Sequence, residues 1–173
     1  MWAPFHGPVP PWRFVVLGRE SMVTMQRLTL GFYDVNWREV DWSGETGNED
    51  RFRKWRAKAE SDITGRWGPV SFMIAIVMQR QAGSKRMPEW EEMSATAAAV
   101  QNMHIQAGAV AGLACYWTSW QPHARDSAEM KAYLNMSAED KLLGFFIVAA
   151  YDPDLKDSRK RDPAKHLAVE WRT

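Results

Sequence analysis

The sequence is poor in the features that would assign it to several broad classes. It has one cysteine, Cys115, so no intrachain disulfide framework and no cysteine-based metal cluster can form. Cys115 sits in an apolar run with no base beside it and reads as a buried small hydrophobe. No apolar run approaches the ~20 residues of a membrane-spanning helix. The formal net charge is +1, which gives no electrostatic footprint for nucleic acid or an anionic surface. Pro4, Pro8, Pro10 and Pro11 occupy the place where a secretory signal would have its apolar helix. There are no internal repeats and no linker, so residues 1–173 read as a single domain with a real core. A reducing, cytoplasmic setting follows, unless a targeting segment precedes Met1.

What is present is unusual in two respects. The chain carries 10 Trp and 10 Met, both high for its length; both types suit flat ligands and adaptable interfaces, and both also fill ordinary cores. The run from Met87 to Trp120 is rich in alanine and glycine. Ala95, Thr96, Ala97, Ala98, Ala99, Ala107, Gly108, Ala109 and Ala111 crowd one helix, which is expected to be central and tightly packed.

Periodicity and punctuation set the rest. The proline-rich opening is an extended loop leading into a strand from Trp12 to Leu17. Glu20 to Leu30 has helical spacing, and Gly31 to Gly47 reads as a polar surface excursion. Asn48 or Glu49 begins a charged helix with Phe52, Trp55, Ala59 and Ile63 on one face. Val70 to Met78 is a strand buried on both faces. Gln79 to Arg86 is a polar loop; the long helix then runs from Pro88 to about Val110, with Glu89, Glu91 and Glu92 favouring its start. Leu113 to Trp117 is a strand. A short helix near Ser127 to Leu134 has Ser127 as N-cap. Ser137 to Asp140 has the form of a capping box. Leu142 to Tyr151 is a second buried strand, and Leu167 to Trp171 an edge strand. Mixed helices and strands around one sheet make the class α+β.

Three segments, in this order, resemble the nitroreductase-like flavoproteins. They are the loop and strand WAPFHGPVPPWRFVVLG; the long helix with Gln101-Asn102, followed by Gly112 and Tyr116-Trp117-Thr118-Ser119; and Leu134 to Tyr151 with its Asp140-Lys141 step. Pro88-Glu89-Trp90-Glu91 matches the helix start of the short, minimal branch. The resemblance implies a three-layer fold, with a mixed, mainly antiparallel sheet flanked by helices. It implies a homodimer binding FMN between subunits, taking hydride from NADH or NADPH and passing electrons to a nitro compound, quinone or similar acceptor. Transferred onto this sequence, Pro4, His6 and Gly7 lie near the flavin, Trp117, Thr118 and Ser119 line it at a strand end, and Arg159, Lys160 and Arg161 reach its phosphate. Trp12 packs. Glu91 and Glu92 pair with basic residues of the partner subunit. No residue is assigned acid or base work, and no metal is implied.

The sequence departs from the family at its start. The leading helices with an Arg-Arg-Ser-x-Arg type motif, which hold the flavin phosphate, are not in it, so the domain is expected to be N-terminally truncated relative to the family. Pro8, Val9 and Pro10 replace polar residues in the loop, and proline has no backbone donor. A competing reading follows: a non-catalytic, FMN-deficient homo-oligomeric interaction module built on the same fold. Flavin sequestration or flavin-dependent breakdown chemistry is a third reading, which no residue singles out.

Overall fold

A computed structural model describes residues 3–42, 47–83, 86–152 and 154. Strands β1 (Trp12–Leu17), β2 (Phe72–Met78), β3 (Leu113–Thr118) and β4 (Lys141–Ala150) form one sheet in the order β1-β2-β4-β3. All three pairings are antiparallel. Helices α1 (Arg19–Asn36), α2 (Glu49–Glu60), α4 (Pro122–Arg125) and α5 (Ala128–Tyr133) accompany it, with a π-helical turn at Ser61–Arg66 after α2; α3 (Glu89–Gly108) covers the other face. The α+β class and the flanked sheet agree with the sequence reading.

The alternation of side chains along a strand divides the core in two. Met73, Ala75 and Val77 of β2 join Met22, Met25, Ile63, Met130 and Phe145 on the α1 side. Ile74 and Ile76 join Val100, Phe146 and Val148 on the α3 side. The two-residue period breaks once. Ala75 pairs with Phe145 but Val77 pairs with Leu142, so β4 carries one extra residue in a bulge. That insertion lets Leu142 and Phe145 share a face despite their odd spacing. Gly144 lies in the bulge with φ +114°, and a Cβ there would run into the Thr118 carbonyl oxygen. Only glycine allows this backbone and the close approach of the β3 end.

Two expectations fail for reasons of packing. Helix α1 does not stop at Leu30 but runs through Gly31 to Asn36. Interior glycine costs about 1 kcal/mol, which tertiary burial outweighs. Tyr33 is buried, its ring 4.8 Å from that of Trp55, in a cluster with Trp42 and Phe52. Much of the supposed surface excursion is therefore helix and aromatic core. Similarly, Ser137–Asp140 caps no helix. Asp140 accepts from Ser137 N at 2.9 Å in the turn that starts β4. The capping signal at Ser127 works as expected, accepting from Met130 N at 3.2 Å, and Asn48, one of the two expected helix starts, caps α2 by accepting from Arg51 N at 3.1 Å.

Helix α3 is not tightly packed all round. Its inner face buries Glu92, Ala95, Thr96 and Val100, while Trp90 and Ile105 are exposed on the far side and Met93 at the border of the buried face. Small side chains here fit the helix closely to the sheet on one side only. The expected edge strand at Leu167–Trp171 lies outside the described residues.

The two glycines give opposite predictions. Gly144→Ala should destabilise the protein by about 2–4 kcal/mol, because the backbone and the Thr118 contact both forbid a Cβ. Gly31→Ala, with nothing within 4 Å of its Cβ position, should stabilise by about 0.5–1 kcal/mol. Urea denaturation of both variants checks the signs.

Candidate functional site

The end of the sheet where β1 and β4 begin and β2 ends gathers the chemistry-bearing loops. The opening loop is tied down there by backbone. Pro11 O accepts from Gln79 N at 2.8 Å and from the Thr96 hydroxyl of α3 at 3.4 Å. Buried Ala3 and the edge-on contact of Phe5 with Trp12, at 5.2 Å, fix its course. Gly7 runs close to Met87; a Cβ on it would sit 3.3 Å from the Met87 Cγ.

Between this loop and the first turns of α3 lies a cavity of about 540 Å³. Phe5, Val9, Met87, Trp90 and Ala95 supply apolar and aromatic wall; His6, Gln81, Glu91, Glu92 and Ser94 supply polar groups. Trp90 is 68% exposed, which places a large indole at the rim instead of in the core. His6 Nε2 lies 3.3 Å from Glu91 Oε2 across the mouth.

One wall is held by a buried ion pair. The Arg80 and Glu92 side chains are 8% and 1% exposed, and Arg80 Nη1 donates to Glu92 Oε2. The other oxygen of Glu92 accepts from Gln81 N at 3.3 Å, and Asp140 accepts from Arg80 N at 3.0 Å. Arg80 Nε is buried without a partner. Glu92 thus pairs within its own chain, contrary to the expected partner-subunit contact, because α3 starts directly over the β2 end. Nearby, Lys141 Nζ donates to Glu89 and holds that carboxyl below its ordinary pKa. Any stability this gives is present above the ordinary carboxylate range and lost as pH falls through the lowered value. It acts at an exposed site.

The structure brings together Pro4, His6 and Gly7 of the residues singled out in the sequence; all three line the cavity. It does not bring Trp117, Thr118 and Ser119 to the same cavity. They stand at the same end of the sheet, but β3 and β1 are opposite edges, about 14 Å apart at three strand spacings. Trp117 is 39% exposed and donates Nε1 to Leu143 O at 2.9 Å. Thr118 Oγ1 accepts from Trp120 N at 3.2 Å, and Ser119 O accepts from Arg125 Nη1 at 3.2 Å. Arg159, Lys160 and Arg161 lie outside the described residues. Cys115 is half-buried, and burial raises its thiol pKa, which leaves it a poor nucleophile at neutral pH. Sequence reading missed Phe5, Gln81 and Met87 as lining residues, and the Arg80–Glu92 pair. Only Trp90 had a signal, as the aromatic in Pro88-Glu89-Trp90-Glu91.

This lining suits a flat, uncharged ring and does not suit a phosphate. Its described residues include no arginine or lysine, and its carboxylates would repel a dianion. Among the described residues no group of His, Cys, Asp or Glu side chains is placed to hold a metal ion, and no described helix is long and apolar enough to cross a membrane.

A four-stranded antiparallel sheet between α3 and the α1 layer, with a cavity at the α3 start, defines the α+β fold. The nitroreductase family model matches residues 1–150, and the chain belongs to that family. Its fold is similar to a nitroreductase-like family protein from Bacillus cereus, at TM-score 0.63 and 17% identity over 98% of this chain and 78% of that one. It is also similar to a nitroreductase with bound FMN from Bacteroides fragilis, at TM-score 0.65 and 15% identity over 98% and 81%. An FMN- and NADPH-dependent nitroreductase from sphigopyxis sp. strain HMH aligns at TM-score 0.57 and 19% identity over 99% and 84%. No curated protein matches the chain in sequence.

The ion pair gives a sharp prediction. Glu92→Leu strands a buried guanidinium and should cost about 3–5 kcal/mol, whereas the double variant Arg80→Met/Glu92→Leu should recover most of that loss. Denaturant melts of the single and double variants measure the difference.

Proposed function

We propose that the protein is an FMN-dependent NAD(P)H oxidoreductase that reduces nitro compounds, quinones or similar small acceptors, and that it acts as a homodimer. The observation that carries this is the aromatic-walled cavity formed by the Pro4–Gly7 loop and the α3 start in a chain of this family. The flavin supplies the redox chemistry. The chain supplies a flat apolar slot between Phe5, Met87 and Trp90 and shields it from water. With one slot serving nicotinamide and acceptor in turn, ping-pong kinetics follow.

A second copy completes the site in this reading. The exposed apolar residues Trp90, Met93 and Ile105 of α3 offer contacts for it. The partner's β3 end then brings the second copy's Trp117–Ser119 segment to the cavity that one chain leaves open. The phosphate falls to Arg159, Lys160 and Arg161, since the described lining holds no arginine or lysine for it. The non-catalytic module remains the competing reading, favoured by that same acidic lining.

A titration of purified protein with FMN, followed by visible absorbance and NAD(P)H oxidation, separates the two. A saturable spectral change with acceptor-dependent turnover is expected. A protein that oligomerises but ignores FMN and NAD(P)H is the module. Arg159→Gln/Arg161→Gln should weaken FMN binding about 100-fold or more, taking ~1.5 kcal/mol or more per charged contact, and leave riboflavin binding unchanged. Equal losses for both flavins would remove these residues from the phosphate site.

A further inference from the structure

We propose that a groove along α1, on the face of the sheet opposite α3, binds a small organic oxyanion such as a carboxylate or phosphate ester. Arg19, Met22, Val23, Gln26, Arg27 and Leu30 all line it. Their spacing of three and four residues places them on one continuous stripe of the helix. The volume is about 510 Å³.

The opposite wall is built for close approach. Thr64 belongs to the π-helical turn at Ser61–Arg66, and Gly68 and Pro69 follow it. A Cβ on Gly68 would run into the Thr64 carbonyl oxygen, so glycine lets the chain fold tightly back on the π-helical turn. Such turns widen a helix locally and recur at functional sites.

Gln26 is the decisive residue. It is 4% exposed, yet its buried Nε2 has no hydrogen-bond partner. Leaving such a donor unpaired is costly, and a buried orphan amide in a folded protein requires an explanation. Arg19 and Arg27 flank it at eight residues' separation, about 12 Å along the helix axis. Neither has an ion-pair partner among the described residues. Glu60, the acid on the groove, shares Arg56 with Asp34, which takes two of its hydrogen bonds at 2.7 and 3.0 Å. The groove therefore keeps an excess of one positive charge, with two guanidinium groups outside any ion pair among the described residues, the unpartnered Gln26 amide, and apolar surface from Met22, Leu30 and Pro69. Arginine forks and an amide suit carboxylate or phosphate oxygens, and the apolar strip suits a short organic body.

Nuclear magnetic resonance on the isotope-labelled full-length protein tests this. Inorganic phosphate and benzoate are titrated in separate arms at constant ionic strength, following the Gln26 side-chain amide. A saturable shift in either arm with Kd at or below about 5 mM is expected, and the arm that saturates identifies the oxyanion. Arg27→Gln should weaken it about tenfold, Gln26→Leu should abolish binding while retaining the fold, and Lys54→Gln should leave it unchanged. No saturable Gln26 shift in either arm up to about 20 mM overturns the proposal. So does unaltered binding in Arg27→Gln, or in Gln26→Leu followed through the Arg19 and Arg27 Nε–H signals.

Discussion

The buried pair of Arg80 and Glu92 is the interaction on which the cavity end of the molecule depends. It joins the second residue after the β2 end to the first turn of α3, and Asp140 extends it to the start of β4 through Arg80 N. Three elements distant in sequence are thereby fixed at one end of the sheet. A buried ion pair contributes little net stability compared with apolar packing, but breaking one half of it is costly. Its effect here is geometric: it sets where α3 begins, hence where Trp90, Glu91 and Ser94 face the Pro4–Gly7 loop.

In the proposed dimer, the same end of the sheet accounts for a site divided between two copies. The antiparallel order β1-β2-β4-β3 puts the loop before β1 and the turn after β3 on one end but at opposite edges. The Gly144 bulge presses the β3 end onto β4, and left-handed Trp120, φ +63°, turns the chain away with its indole donating to Thr29 at 2.9 Å. Trp117 is left facing outward. Trp90, an exposed apolar residue of α3, also lines the cavity. In the proposed homodimer a second copy against it brings the two segments together.

Much of the fold was legible in the residues. The β1 limits followed from aromatic and β-branched residues closed by Gly18, and β2 from its unbroken apolar run. The N-cap Ser127 was readable because capping is local chemistry. What failed depended on distant partners. Gly31 looked like a stop until Tyr33 found Trp55 and Trp42. The Ser137–Asp140 signature was local in form, but Asp140 is claimed by Arg80 N, sixty residues away. The alanines of α3 announced close packing without saying on how many sides. Pro4, His6 and Gly7, named through the family pattern, line the cavity; Phe5, Gln81 and Met87 carry no such mark and enter its lining only because the loop folds over α3.

A site shared between two copies is tested most directly by mixing two variants, Trp90→Ala and Trp117→Ala, after co-refolding in equal amounts. Each variant alone should bind FMN poorly, one losing the loop half and the other the strand half. Random pairing should restore one intact site in each mixed dimer, giving about one quarter of wild-type binding capacity. A mixture that binds no better than either variant alone would contradict a crevice built from two chains.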